Sequence, residues 1–265
     1  MSPKKATPSS ATYVYCIVRA KRAPAPGRFQ PPPGLGPPRA LDAGGGLFLI
    51  VSDAPPDEYG EEALNARLED MDWVSRCALA HEAIIESARS AESVVPMKLF
   101  TIFRDDGRAR AMVEKDRRRL ERVLDRVAGC AEYGVRLTLD ERRARKDLVA
   151  RAVKAASGAS GAAFLQRKKN LKAAGEELVH SARAVADEVF TELAAKAGDS
   201  YRRTDVEGLV KGSRLLMDGV FLVPNRSARR FRSALEKTAR SLAPRGYELV
   251  LNGPWPPYHF VADAA

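Results

Sequence analysis

Cysteine is scarce in this sequence, which has only three in 265 residues: Cys16, Cys77 and Cys130. An odd number of widely separated thiols argues against a disulfide framework and favours reduced cysteines in the cytosol. No apolar run approaches the roughly 20 residues that span a bilayer, and the first ten residues lack the apolar segment of a signal peptide. These absences predict a cytoplasmic protein with no membrane partner.

Aromatic residues are also few, at 7% of the chain, and most of them lie in apolar segments. The chain is basic, because 44 Lys and Arg against 34 Asp and Glu give a net charge of +10. Such a charge favours an acidic partner, but nucleic-acid binding also needs aromatic rings available for stacking. Most of the cations are interspersed with acids on helices. We therefore expect no nucleic-acid partner, and a basic nucleic-acid-binding module remains the alternative hypothesis.

The apolar content of 45% is enough for a packed core, and the length favours two domains. Two β-branched and aromatic segments, residues 12–18 and 47–53, have the composition of buried strands. The segment between them (about 20–46) is so rich in Pro and Gly that we predict a long irregular loop. We place this N-terminal α+β domain at residues 1–106.

An amphipathic helix is predicted from Asp72 onward, with Asp70 or Asp72 as its N-cap. Strand composition returns at residues 93–103. Pro96 within that segment indicates an edge, a bulge or a break between two short strands, because proline cannot donate to a sheet.

Residues 107–265 are predicted to form the second domain, with long helices and a tail rich in Pro and aromatic residues. Its predicted elements are a helix at 108–128, a strand at 132–140, a helix at 162–197, strands at 201–208 and 213–225, a helix at 227–242 and a strand at 247–255. From residue 132 onward this is the βαββαβ order of a ferredoxin-like fold. The predicted class is therefore α+β, with a modified ferredoxin-like C-terminal domain.

No constellation of residues indicates catalysis. His81 and Glu82 begin a zinc-protease pattern, but Ile85 occupies the position of the second histidine ligand. Cys77 lies one helical turn from His81, yet a nucleophile also needs exposure and an orienting third group. The glycines at 44–46 precede a strand and lack the following Lys of a phosphate loop. We expect no catalytic, metal or cofactor site, and therefore no enzyme.

Four stretches together carry a resemblance to a known family: YVYCIV at 13–18, LEDMDWVSRCALAHEAIIE at 68–86, VVPMKLFTIF at 94–103 and YELVLNGPWPPYHFV at 247–261. In order and spacing they resemble the gas vesicle protein F/L family (GvpL/GvpF) from residue 12 to the end. Phe100 stands where the family more often has Gly. The motif residues that are candidates for partner contact are Asp72, Trp73, His81, Glu82, Pro96, Phe100, Phe103, Trp255, Tyr258 and Phe260.

The resemblance implies a non-enzymatic accessory protein that associates with the small hydrophobic gas vesicle shell protein and helps to nucleate or assemble the vesicle. It also implies two α+β domains, contacts with other accessory proteins and a cytoplasmic location on the gas vesicle. The resemblance implies no catalytic residue and no cofactor for this chain.

The terminal motif GPWPPYHF, residues 253–260, has two interpretations. Its three prolines lack backbone donors, so we expect the segment to leave the preceding sheet as an extended strap. In one interpretation Trp255, Tyr258 and Phe260 pack on the domain and fix the tail. In the other, part of this aromatic segment stays exposed as a contact for the shell protein.

Overall fold

The computed structural model describes residues 10–25, 29–144, 161–203, 209–210 and 213–264. Its contacts divide the chain into two compact units. Unit 1 comprises Met1–Ala131 together with Trp255–Ala265, and unit 2 comprises Glu132–Pro254. Both contain helices and sheet, as the predicted α+β class requires.

Unit 1 is built on a five-stranded antiparallel sheet in the order β2-β3-β1-β4, with β5 also paired to β1. The strands are β1 (Ala11–Arg19), β2 (Arg39–Asp42), β3 (Leu47–Ala54), β4 (Ser93–Pro96) and β5 (Ile102–Phe103). The apolar strands β1 and β3 are almost wholly buried, which confirms their predicted place inside the sheet. Pro96 ends β4, so it marks a break between two short strands, one of the three predicted arrangements.

The described residues of unit 1 form the helices α1 (Pro56–Tyr59), α2 (Glu61–Arg67), α3 (Met71–Ser87), α4 (Asp106–Lys115) and α5 (Arg117–Val127). The carboxylate of Asp70 accepts from the backbone N–H groups of residues 72 and 73, so Asp70 is the N-cap of α3. The predicted single helix at 108–128 is two helices instead. Asp116 separates them, because its φ of −103° and ψ of 11° lie outside the helical range.

Unit 2 contains β6 (Cys130–Leu139), α6 (Gly161–Ala194), β7 (Asp199–Arg202), β8 (Leu209–Val210), β9 (Ser213–Pro224), α7 (Ala228–Leu242) and β10 (Tyr247–Trp255). The strand order is β10-β6-β9-β7, with β8 also paired to β9. Apart from the short β8, the elements follow one another as strand, helix, strand, strand, helix, strand. The long helix α6 occupies most of the segment predicted as helical.

In unit 2, one cluster of four aromatic rings joins two strands to two helices. Phe221 of β9 packs against Phe190 of α6 and Phe231 of α7, with ring centroids 5.4 and 5.5 Å apart. Tyr133 of β6 contacts Phe231 at 5.6 Å. Tilted ring pairs at these separations stabilise a core beyond their area of burial alone. They hold α6 and α7 on the sheet.

Three sequence expectations about element boundaries require correction. The loop at 20–46 is not wholly irregular, because it contains β2, whose Arg39 is held by ion pairs with Asp53 and Asp106 at 2.7 and 2.9 Å. The domain boundary lies after Ala131 rather than at 106/107, since α4 contacts β1 and β5, and α5 contacts β4.

The third correction concerns the terminal motif. β10 ends at Trp255, as the strand predicted at 247–255 does, so the motif that begins at Gly253 does not leave the sheet at its first residue. The strand lies at the edge of its sheet, the position in which proline is tolerated because only one side of the strand pairs with a neighbour.

Candidate functional site

Most family-motif residues gather around β1 in unit 1. Helix α3 carries Asp72, Trp73, His81 and Glu82, and Pro96 and Phe103 lie in the strands that pair with β1. Phe100 lies in the turn between those strands, and the tail supplies Tyr258 and Phe260. The structure therefore unites motifs that are far apart in sequence, such as those of Glu82 and Tyr258, which are 176 residues apart.

Trp73 and Phe100 form a stacked pair in this cluster. Their ring centroids are 5.5 Å apart and their planes differ by 3°. The Arg67 guanidinium lies over the Trp73 ring, 5.3 Å from its centroid. Trp73 is buried, and its Nε1 has no hydrogen-bond partner among the described residues. Neighbouring Asp72 is exposed in the first turn of α3, where the helix dipole favours a carboxylate.

Phe100 has a backbone φ of 63°, the only positive value outside glycine in the described part of the chain. A side chain in this left-handed region costs roughly 1–2 kcal/mol. The family resemblance places glycine at this position, which fits the conformation. In this chain the phenylalanine ring instead supplies the stacking partner of Trp73.

His81 lies in a buried hydrogen-bond chain. Its Nε2 is 3.1 Å from the carbonyl oxygen of Met97, which can only accept, so Nε2 carries the proton and donates. Nδ1 then accepts from the hydroxyl of Tyr13 at 2.9 Å, and the Phe100 N–H donates to that hydroxyl at 3.3 Å. Burial lowers the pKa of His81 to about 4 and raises the pKa of Tyr13. The neutral imidazole thus ties α3 to β1 and to the turn after β4.

This geometry gives Cys77 no activating partner. The thiol is fully buried, burial raises its pKa, and the nearest hydroxyl, that of Tyr59, is 4.0 Å from Sγ. Both nitrogens of His81 are occupied by Tyr13 and Met97. Among the residues that the structure describes, no group of three or more His, Cys, Asp or Glu side chains is arranged to hold a metal ion.

The C-terminal tail packs on unit 1 after Trp255. Pro256 and Pro257 are buried, and the hydroxyl of Tyr258 donates to Oε2 of Glu82. Phe260 is 5% exposed, and its ring lies 5.6 Å from the Arg126 guanidinium carbon. The final turn, His259–Ala264, contacts α5 and β4. Tyr258 and Phe260 therefore have the geometry of the packed strap.

Trp255 differs from the rest of the tail, because 45% of its surface is exposed. This exposure is what the second interpretation of the motif requires, in which an aromatic side chain remains available to a partner. The residues of the terminal motif thus differ in burial, and a partner contact through Trp255 stays a prediction.

Three exposed apolar residues at α3 were missed by the sequence analysis. We call Leu68, Met71 and Leu79 the α3 patch; they are 43%, 67% and 73% exposed. Their signal in the sequence is that Met71 and Leu79 fall outside the helical stripe formed by Trp73, Cys77 and Ile84. Leu68 precedes the helix at the end of α2.

No helix within the described ranges has the length and hydropathy of a membrane span. The family model for the gas vesicle synthesis protein GvpL/GvpF matches residues 11–262. Gas vesicle protein L of Streptomyces sp. (strain CB03234) is 30% identical over 257 residues, which cover 95% of this chain and 93% of that protein. Gas vesicle protein F of the same strain is 30% identical over 266 residues, covering 95% and 99%.

Two crystal structures share the fold. Gas vesicle protein GvpF from Anabaena sp. PCC7120 superposes with a TM-score of 0.66 at 14% identity, covering 95% of this chain and 98% of that one. GvpF from Microcystis aeruginosa gives a TM-score of 0.64 at 11% identity, covering 95% and 99%. At such identities the likeness concerns the fold alone.

Proposed function

The chain belongs to the gas vesicle synthesis protein GvpL/GvpF family, and from this premise we propose that it is an accessory protein of gas vesicle formation. In this proposal it associates with the small hydrophobic shell protein and takes part in nucleation and assembly of the vesicle. It catalyses no reaction. It acts in the cytoplasm at the growing vesicle, together with other accessory proteins.

The observation that carries the proposal is the exposure of Trp255 directly before the buried residues Pro256 and Pro257. Single exposed apolar residues are common on protein surfaces, so the identity of this side chain matters more than its exposure alone. Tryptophan is also among the residues most enriched at the energetic centres of interfaces. A hydrophobic shell subunit is a partner of matching chemistry.

The three residues of the α3 patch are further exposed apolar side chains in unit 1. Leu79 is the most exposed of the large apolar side chains that the structure describes, and Met71 follows it. Methionine and leucine adapt to varied apolar partners because their side chains are flexible. We propose that the α3 patch and Trp255 both contact the shell protein.

We also propose that unit 2 is a modified ferredoxin-like domain. The strand order β10-β6-β9-β7 supports this, since the first strand of the βαββαβ series lies between the last and the third. The short β8 and the 34-residue helix α6 are the modifications.

The experiment is to delete the gene from a vesicle-forming host and to examine the cells by electron microscopy. In parallel, affinity-tagged protein is used to capture the shell protein. We expect vesicles to be absent or stunted without the gene and the shell protein to co-purify with the tag. Normal vesicles in the deletion strain would contradict the assembly role, and capture without a vesicle defect would leave only association.

A further inference from the structure

A basic cavity lies in unit 2, at the start of α7. Its volume is about 490 Å³, and its lining residues are Ala195, Lys196, Ser227, Arg229, Arg230 and Ser233. Three of these six side chains are cationic and two carry hydroxyl groups. None is aromatic. Each polar side chain in the lining can donate a hydrogen bond to an oxyanion.

The packing of α7 directs the two arginines away from the core. Phe231, Leu235 and Leu242 form the buried stripe of the helix. Arg229 and Arg230 precede that stripe and are exposed. At 100° per residue, Arg229 and Ser233 lie on the opposite side of the helix from Phe231.

Lys196 reaches the cavity from the turn that follows α6. Its ammonium group donates to the carbonyl oxygen of Glu192 at 3.2 Å and lies 3.4 Å from the Glu192 carboxylate. Glu192 also accepts from the hydroxyl of Thr238 on α7 at 3.1 Å, which ties the two helices together. The Lys196 charge is thus partly balanced, whereas the two arginines bring a charge of +2 with no carboxylate in the lining.

The charge distribution along this segment is strongly one-sided. Residues 225–242 contain six cationic side chains, at 226, 229, 230, 232, 237 and 240, against a single acid, Glu236. The first turn of α7 has no acidic residue, and Ser227 makes no side-chain cap bond. Cations at a helix start oppose the helix dipole, so this arrangement is electrostatically unfavourable unless an anion is present.

We propose that this cavity binds a compact polyanion whose charges are carried by phosphate groups. Arginine guanidinium groups bind phosphate oxygens through paired hydrogen bonds, and serine hydroxyls supply further donors. The volume is in the range of small-molecule sites, whereas the absence of an aromatic ring in the lining offers a nucleobase no stacking surface. The ligand is therefore recognised by its phosphates.

The test is calorimetric titration of the full-length protein with tripolyphosphate at about 0.15 M ionic strength, where exposed charges are already screened. Arg229→Ala/Arg230→Ala removes two charges from the cavity. Arg232→Ala/Arg240→Ala is the matched control, because it removes two exposed arginines of the same helix that do not line the cavity. We expect the cavity pair to weaken binding at least about tenfold and the control pair by less than about threefold.

A second, more conservative variant tests the proposal even if the double alanine variant fails to fold. Arg229→Lys/Arg230→Lys keeps both charges and removes the paired donors, so we expect weakening between those of the two alanine pairs. A short oligothymidine and a peptide of glutamates are titrated in parallel to separate the sources of negative charge. If the oligothymidine displaced tripolyphosphate, and Arg229→Ala/Arg230→Ala weakened its binding as well, the phosphate groups bound by the cavity would be those of a nucleic acid.

Three results would overturn the proposal. The first is no binding of tripolyphosphate to the wild-type protein. The second is equal weakening by the cavity and control pairs, which would mean general charge attraction. The third is tighter binding of the glutamate peptide than of tripolyphosphate. The readout is independent of shell-protein capture, so its failure is distinguishable from failure of the proposed function.

Discussion

The hydroxyl group of Tyr258 in the C-terminal tail donates a hydrogen bond to Oε2 of Glu82 on α3, 176 residues earlier in the chain. Burial raises the pKa of Tyr258, and its hydrogen bond to Glu82 raises that pKa further. The phenol therefore remains protonated and donates at neutral pH. Two motifs of the family resemblance, the helix motif and the terminal motif, are joined by this one contact.

Tyr258→Phe is expected to lower the free energy of unfolding by about 1–2 kcal/mol, because a hydrogen bond to a charged group is lost at a half-buried site. Urea denaturation measures the change. The matched test is a double-mutant cycle with Glu82→Ala, in which we expect a coupling energy of at least about 0.5 kcal/mol. Additive effects of the two substitutions would mean that the contact does not stabilise the tail.

Phe260→Ala is expected to cost about 2–4 kcal/mol of stability, since the buried ring leaves a cavity beside α5 and β4. Phe29→Ala is the control, because Phe29 is 45% exposed and its loss should change stability by about 0.5 kcal/mol or less. Thermal and urea unfolding of both variants give the comparison. Equal stability of the two variants would contradict the packed position of Phe260.

Stability is expected to fall with acidification through His81. The pKa of this residue is lowered from 6.5 to about 4 in the folded protein, so between these values the unfolded chain binds more protons. The stability that the neutral His81 contributes is therefore fully present above pH 6.5 and is lost as the pH falls toward 4, up to about 3 kcal/mol. Urea unfolding at several pH values, compared with His81→Gln, isolates this residue. If the free energy of unfolding of His81→Gln depended on pH as steeply as that of the wild type, His81 would not be the source of the pH dependence.

Two substitutions at Phe100 separate backbone strain from stacking. Both remove the ring that stacks on Trp73, but glycine also relieves the positive φ and alanine does not. We expect Phe100→Gly to be more stable than Phe100→Ala by about 1 kcal/mol. Differential scanning calorimetry of the two variants tests the order, and a more stable alanine variant would contradict the left-handed conformation.

The elements with strong apolar composition could be predicted from the sequence. β1 and β3 are rich in apolar residues that favour strands, and α3 has an apolar residue at each helical turn. In these elements the pattern of buried residues and the local secondary-structure preference indicate the same structure. β2 was missed because its four residues, Arg39–Asp42, have little strand character of their own. Pairing with β3 and the two ion pairs of Arg39 make it a strand, and these contacts are not local in sequence.

The candidate site was predictable in its residues but not in its arrangement. The motifs indicated Trp73, His81 and Tyr258, yet no spacing shows that Tyr13 and Met97 would hold the two nitrogens of His81. His81 is buried, and both of its nitrogens have partners that lie far from it in sequence. The return of the tail to unit 1 depends on contacts across most of the chain, which local patterns do not encode.

Capture of the shell protein by Trp255→Ala tests the central claim most directly. Tyr201→Ala is the control, since Tyr201 is an exposed aromatic residue of unit 2 at 52% exposure. We predict that the free energy of unfolding of Trp255→Ala lies within about 1 kcal/mol of that of the wild type. We also predict that this variant binds the shell protein about tenfold or more weakly and fails to restore vesicles to the deletion strain. Unchanged capture and normal vesicles, or a loss of capture that only follows unfolding, would contradict the account.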